Sequence, residues 1–169
     1  MEFRSVVIFD SFQIAEIYNH FIATSHATFE IEPIDPAEME NRIRKTLEAG
    51  YPFLVCESDS EIIGYAYGRQ FRARRAYRQS TEVTIYIKPG HERRRIGTQL
   101  YENLIAAIKK GGFHAVIAGI SLPNDASINL HEEFGFEKVA HFREVGYKFG
   151  KWIDVGYWEL ILPPKPASA

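Results

Sequence analysis

Thiol chemistry is almost absent from this chain: of its 169 residues only Cys56 is a cysteine. A disulfide framework needs pairs of thiols, and a structural zinc site needs several thiolates or imidazoles at short spacing, so both are excluded and no metal site is expected. Long apolar runs are absent as well. No window nears the ~18 uninterrupted apolar residues of a membrane span. The opening stretch MEFRSVVIFD lacks the basic segment and apolar core of a signal peptide. Neither membrane nor export is expected, which points to a cytoplasmic protein. A basic excess is also missing, with 20 Lys and Arg against 22 Asp and Glu, a net charge of −2. Proteins that grip a nucleic-acid backbone usually carry such an excess, so no nucleic-acid partner is expected. No repeat, low-complexity tract or interior linker divides the chain. The reading is one domain over residues 1–169, with residues 162–169, rich in proline and small residues, as a loose tail.

What remains is the composition of a soluble globular domain, 46% hydrophobic and 25% charged. Strand and helix patterns alternate along it, which predicts an α/β (α+β) architecture. Strands are predicted over Val6–Phe9, Phe53–Glu57, Glu61–Tyr67, Glu82–Ile87, Ala115–Ile120, Ala140–Phe149 and Val155–Leu162. Ser58, Asp59 and Ser60 suit a hairpin turn between the second and third. Helical spacing marks Ile14, Ile17, Phe21 and Ile22, with Asp10 and Ser11 as caps, then about 37–48. A third helix is predicted to start near Arg94, with Ile96, Leu100, Leu104 and Ile108 as its stripe, and a fourth over about Ala126–Phe134. Cys56 reads as a buried strand residue. Trp152, Tyr157 and Trp158 suit a core or an interface.

The segment EVTIYIKPGHERRRIGTQLYENLI carries the strongest chemical signal. A strand runs through a basic, glycine-containing loop into an amphipathic helix. The first amides of a helix have no internal partner and sit at the positive end of its dipole. A pyrophosphate can be held there by main-chain N–H groups, with arginines adding charge. The alternative is a solvated charge run, although cations at a helix start do not favour the helix. Neither the P-loop nor the dinucleotide glycine pattern is present. A second cluster is the loop RQFRARRAYRQ, which holds Arg69, Arg72, Arg74, Arg75 and Arg78. Guanidinium groups bind carboxylate and phosphinate oxygens in a bidentate way.

Two motifs turn these signals into a resemblance. Glu92, Arg95 and Gly97 match positions of the cofactor loop of the GCN5-related N-acetyltransferases, with Arg95 standing where glycine is commoner. The run from Asn124 to Phe136 resembles that superfamily's Asn-containing helix, with Asn124, Ser127, Gly135 and Phe136 at its offsets and His131 where tyrosine is frequent. Glu82-x-x-Ile85-Tyr86-Ile87, Ser121 to Asp125, His131-Glu132 and Gly146 to Asp154 narrow the resemblance to phosphinothricin N-acetyltransferases. Tyr18-Asn19, Ser25, Phe29 and Glu32-Pro33 also fit, so the likeness covers about residues 6–162.

The resemblance implies a single acetyltransferase domain with a mixed, mostly antiparallel sheet. That sheet would splay between Glu82–Ile87 and Ala115–Ile120 and be flanked by helices. It implies acetyl-CoA as cosubstrate and no metal. Ile85, Tyr86 and Ile87 would offer backbone groups to the acetyl and pantetheine parts. Arg93, Arg94, Arg95, Ile96, Gly97 and Thr98 would hold the pyrophosphate, and Asn124 and Ser127 would line the arm. The acceptor would be the α-amino group of a small amino acid or analogue, such as phosphinothricin or methionine sulfone or sulfoximine. Phe29, Arg74 and Tyr77 would touch it. An α-amino group has a pKa of about 7.7–8.0 in peptides, so a base must take its proton. Glu82 is the candidate base, directly or through water; on residues alone it reads as a surface glutamate paired with Arg72 or Arg78. His131 is the candidate acid, protonating the leaving sulfur, or a second base. A backbone N–H near Tyr86 or Ile87 would stabilise the oxyanion. The resemblance also implies a homodimer. Acetylation of a different amine, a protein N-terminus included, and non-catalytic acyl-CoA binding are the other readings.

Overall fold

A computed structural model describes residues 1–92 and 95–163. The strands are β1 (Glu2–Ser5), β2 (Phe53–Ser58), β3 (Glu61–Gln70), β4 (Ser80–Ile87), β5 (Ala115–Ser121), β6 (Glu137–Lys148) and β7 (Lys151–Ile161). They form one sheet in the order β1-β2-β3-β4-β5-β7-β6. Every neighbouring pair is antiparallel except β4 and β5, which run parallel. The helices are α1 (Ser11–Thr24), α2 (Pro36–Glu48), α3 (Ile96–Lys110) and α4 (Asp125–Glu133).

Local chemistry explains where the helices begin. Asp35 accepts a hydrogen bond from the Glu38 amide at 2.7 Å, and Pro36 follows at the first helical position, where no amide is needed. Asn124 caps α4 in the same way, accepting from the Ser127 amide at 3.1 Å. At the far end of α3, Lys109 and Lys110 complement the negative pole of the helix.

The apolar stripes then sort the helices to the two faces of the sheet. Ile14 and Ile43 of α1 and α2 pack with Val55, Tyr65 and Tyr86 on one face. Leu100, Leu104 and Ile108 of α3 pack with Val83, Val116 and Trp158 on the other. Burying one such aliphatic side chain contributes about 1.5–3 kcal/mol, so these two clusters hold the layers together. Val83, Ile85 and Ile87 share the α3 face, as their alternation predicts.

The first predicted strand is corrected. Strand pairing covers Glu2–Ser5, whereas Ile8–Asp10 form a single 3-10 turn. The cause is Asp10. Its carboxylate accepts from the Val7 amide at 2.8 Å and from both terminal nitrogens of Arg4 at 2.8 and 2.9 Å. That clasp turns the chain before a strand over Val6–Phe9 can pair. It also occupies the carboxylate expected to cap α1. Burial raises the Asp10 pKa, but the Arg4 and Val7 bonds outweigh it and leave the group below its ordinary value.

At the other end, the last two strands are longer than predicted, because Phe149 and Gly150 make a two-residue turn with φ of 52° and 72°. The hairpin bends where its register shifts between Phe142 and Gly146. There Asp154 accepts from the Glu144 amide at 2.8 Å and pairs with His141 Nε2 at 2.7 Å. Trp158 of this hairpin lies in the core, whereas Trp152 is exposed and packs on Tyr147. Cys56 is fully buried, and burial pushes its thiol pKa up. Most of the tail named in the sequence reading, residues 164–169, lies outside the described residues.

Candidate active site

The parallel pair β4 and β5 pairs over three residues only, Ser80 with Ala115, Thr81 with Val116 and Glu82 with Ile117. Beyond that point the strands part, although β4 runs on to Ile87 and β5 to Ser121. Each keeps its outer neighbour: β3 still pairs with β4, and β7 with β5. The sheet therefore opens like a V, and a cavity of about 1560 Å³ fills the opening. Backbone groups of β4 that face the gap have no strand partner, which leaves them for an extended ligand. Ile85, Tyr86 and Ile87 line this wall, and Ala118 to Ser121 the other.

The start of α3 closes one end. The first intrahelical bond there runs from the Gln99 amide to the Arg95 carbonyl at 3.0 Å, so the amides of Ile96, Gly97 and Thr98 precede the helical ladder. Gly97 and Thr98 line the cavity. A Cβ on Gly97 would meet only Ile87 and Leu130, at 3.9 Å, so no protein contact requires glycine there. Open amides beside an unfilled approach suit a phosphate. Ile96 can supply only its main chain, because its side chain is buried in the core. Arg95 lines the cavity with φ of 57°, in the left-handed region that favours glycine. That explains why glycine is the commoner residue at this place in the resembling pattern; holding arginine there costs about 1–2 kcal/mol. Arg93 and Arg94 lie outside the described residues. Asn124 and Ser127 line the opposite wall; the Asn124 Oδ1 is already used for capping, which leaves its Nδ2 to face a ligand.

Glu82 sits where the strands part. Its partner is Arg69, whose guanidinium donates to Oε1 at 2.9 Å, and not Arg72 or Arg78. The two residues lie directly opposite each other on β3 and β4. The carboxylate faces the cavity, and a Cβ added to Gly119 across the gap would come within 3.6 Å of Oε1. Bulk at position 119 would therefore crowd Tyr157 and the Glu82 carboxylate.

His131 lines the cavity from α4 but is only 3% exposed. Its Nδ1 lies 2.7 Å from the Ser127 carbonyl, and since a carbonyl only accepts, Nδ1 carries the proton. The ring packs edge-on against Tyr101 and Phe136, with centroids 5.0 and 5.1 Å away. Burial lowers its pKa, with the Ser127 bond opposing only in part. Burial thus disfavours the imidazolium, and with the proton on Nδ1 the free Nε2 can accept a hydrogen bond.

The segment between α1 and α2 covers the other end of the V. Phe29 lines the cavity and packs flat against Gly146, where any Cβ would collide with its ring. Tyr18 bridges Thr28 at 2.8 Å and Glu30 at 2.9 Å, and Arg42 clamps Glu30 from outside. Of the basic loop, Arg69 and Arg72 reach the cavity. Arg74 and Tyr77 do not. Arg74 precedes and Tyr77 ends a short 3-10 turn over Arg75–Tyr77, where Tyr77 is exposed and meets the Phe71 ring edge. The sequence reading missed Arg69 as the Glu82 partner and Tyr18, Glu30 and Ser121 as lining residues. Only the facing register of β3 and β4 could have signalled the first.

Comparison with known proteins agrees with this architecture. A family profile for the acetyltransferase (GNAT) domain matches residues 4–156. A phosphinothricin N-acetyltransferase of Streptomyces viridochromogenes is 38% identical, over 98% of this chain and 92% of its own. An L-methionine sulfoximine/L-methionine sulfone acetyltransferase of Salmonella typhimurium is 35% identical, over 90% of each. A phosphinothricin acetyltransferase of Sinorhizobium meliloti, solved with acetyl-CoA, superposes with a TM-score of 0.93 at 33% identity. That superposition covers 98% of this chain and 94% of the other. With its parted central strands and open helix amides, the chain belongs to the GNAT acetyltransferase family.

Proposed function

We propose that this protein transfers an acetyl group from acetyl-CoA to the α-amino group of a small amino acid or analogue of the phosphinothricin or methionine sulfone and sulfoximine kind. The observation that carries the reading is the parting of β4 and β5 at Glu82. It joins a strand-like slot, open helix amides and the Glu82 carboxylate in a single cavity. The names of the relatives support the acceptor class.

When bound, acetyl-CoA supplies an acyl group already activated as a thioester. The chain's own groups do the rest. The amides of Ile96, Gly97 and Thr98, with Arg95 nearby, hold phosphate. The free edge of Ile85 to Ile87 orients the extended arm, and a backbone N–H of Tyr86 or Ile87 faces the developing oxyanion. Glu82 takes the ammonium proton, directly or through water, while Arg69 fixes its Oε1. Arg72, and the outer face of Arg69, meet the acidic groups of the acceptor. Phe29 forms the apolar wall. Cys56, buried in the sheet, lies outside the cavity lining, so transfer is direct, without an acyl-enzyme. His131 accepts a hydrogen bond at Nε2 and is not the acid, so the second proton of the attacking nitrogen passes to the thiol sulfur as the C–S bond breaks and the C–N bond forms.

Three results test this. Thiol release from acetyl-CoA is measured against phosphinothricin, methionine sulfone, methionine sulfoximine and the proteinogenic amino acids. One of the three analogues is expected to turn over well, and Glu82→Gln to lower kcat by about 10²-fold or more, the usual weight of a general base. Tight acetyl-CoA binding without turnover of any amino acid would remove the acceptor class.

The second concerns His131. Its depressed pKa means that the unfolded chain binds a proton the native chain refuses, so stability is lost as pH falls through about 6.5 and below. Urea unfolding between pH 8 and pH 5 is expected to show a steeper decline for the native sequence than for His131→Gln. Parallel declines would contradict the neutral, buried assignment.

We also infer a homodimer. The edge strand β6 is 12 residues long and exposes Val139, Phe142, Val145 and Tyr147, beside Phe149 and Trp152. A long apolar edge of this kind calls for cover. Sedimentation equilibrium is expected to give twice the chain mass, and Val145→Lys with Trp152→Glu to give the monomer. A monomeric native protein at micromolar concentration would overturn this.

A further inference from the structure

Lys148 is a lysine with almost no access to water, 4% exposed, near the end of β6. Among the described residues no carboxylate pairs with it. Its Nζ instead donates to two main-chain carbonyls, Ser25 at 2.8 Å and Thr28 at 2.8 Å, and lies 5.0 Å from the Phe149 ring centroid. Burying an ammonium with no carboxylate in contact is costly, and burial lowers its pKa although the Glu30 charge opposes this; an apolar side chain of the same length would fill the space. The two carbonyls it holds bracket residues 26 and 27, and the second immediately precedes Phe29.

The segment 25–30 is a strap across the open end of the V. Tyr86 on β4 donates to the Ala27 carbonyl at 3.3 Å. Ser121 on β5 lies 3.1 Å from His26 Nδ1. Lys148 on β6 takes the remaining two contacts, and Gly146, two residues before it on the same face, makes room for the Phe29 ring. The strap thus joins the two halves of the sheet that part at Glu82, and Lys148 is its charged anchor on the far half.

We propose that Lys148 is a positioning residue for the acceptor: by fixing the strap to β6 it sets the placement of Phe29 and Thr28 over the acceptor end of the cleft. It touches neither the helix amides of α3 nor the β4 edge, so its effect falls on the amine and not on acetyl-CoA. The substrate half of this proposal rests on the function proposed above.

The test compares the native enzyme with Lys148→Met and Lys148→Arg. It uses steady-state kinetics with methionine sulfone and acetyl-CoA, and amide hydrogen exchange. Lys148→Met is expected to raise KM for methionine sulfone about tenfold and leave KM for acetyl-CoA within about twofold. It should also speed exchange over residues 25–30 while residues 96–104 keep their protection. Lys148→Arg, which keeps donors in place, should recover part of both effects. If Lys148→Met does not fold, Lys148→Gln carries the same test. Equal loss of kcat with both KM values unchanged, or faster exchange throughout, would reduce Lys148 to a merely structural residue and overturn the proposal. Unchanged exchange at 25–30 with unchanged kinetics would overturn it as well. Exchange needs no turnover, so a native enzyme inactive on every amino acid removes the function reading, and unchanged exchange in an active enzyme removes the Lys148 role alone.

Discussion

Everything at the site depends on one ladder that stops early. A parallel pair that continued past Glu82 and Ile117 would satisfy the facing amides and carbonyls of β4 and β5 within the protein. By stopping, it leaves those groups to be met by a ligand. The two halves do not drift apart, because the core on the α3 face spans both, with Val83 of β4 in one cluster with Val116 of β5 and Trp158 of β7. Tyr65, Tyr86 and Ile43 pack on one face, and Leu104, Val116 and Trp158 on the other. The helices that form these cores also deliver the functional ends, since α3 aims its first amides into the gap and α4 brings Asn124, Ser127 and His131 to its wall.

Two of the carboxylates that line the cavity are held by guanidinium groups. Arg69 holds Glu82, and Arg42 holds Glu30. The Arg42 clamp, together with Tyr18, outweighs the upward push of burial and keeps the Glu30 pKa below its ordinary value. Burial disfavours the His131 imidazolium, and the Lys148 ammonium is spent on two carbonyls. The pairing fixes orientation more than it adds stability, since partly exposed ion pairs contribute only about 0–1 kcal/mol. Orientation is what a proton transfer at a fixed point of the V requires.

Much of this was legible in the sequence, and for a physical reason. Helix stripes and the basic turn before α3 are local patterns, so spacing alone located them. The opening of the sheet came through resemblance to a family and not from residue periodicity. What the sequence hid were choices of partner made across the fold. Glu82 could pair with any of several arginines; only the register that sets Arg69 opposite it decides the matter. Val6 to Phe9 have the look of a strand, but Asp10 and Arg4 outcompete pairing there. Arg74 and Tyr77 are in the right loop by number, yet it is Arg69 and Arg72 of that loop that line the cavity. Lys148 stands in the Gly146 to Asp154 run that carries the resemblance, but its role was hidden, because its partners are main-chain carbonyls more than a hundred residues away.

The central claim is that the parted strands and the start of α3 together form one acyl-CoA site. A crystal structure of the protein grown with coenzyme A tests it most directly. The account predicts the pantetheine arm running along Ile85 to Ile87 between β4 and β5, with the pyrophosphate on the amides of Ile96 to Thr98 and the thiol end beside Glu82. Coenzyme A bound elsewhere, or a β4–β5 gap that closes and leaves no room for it, would contradict the account.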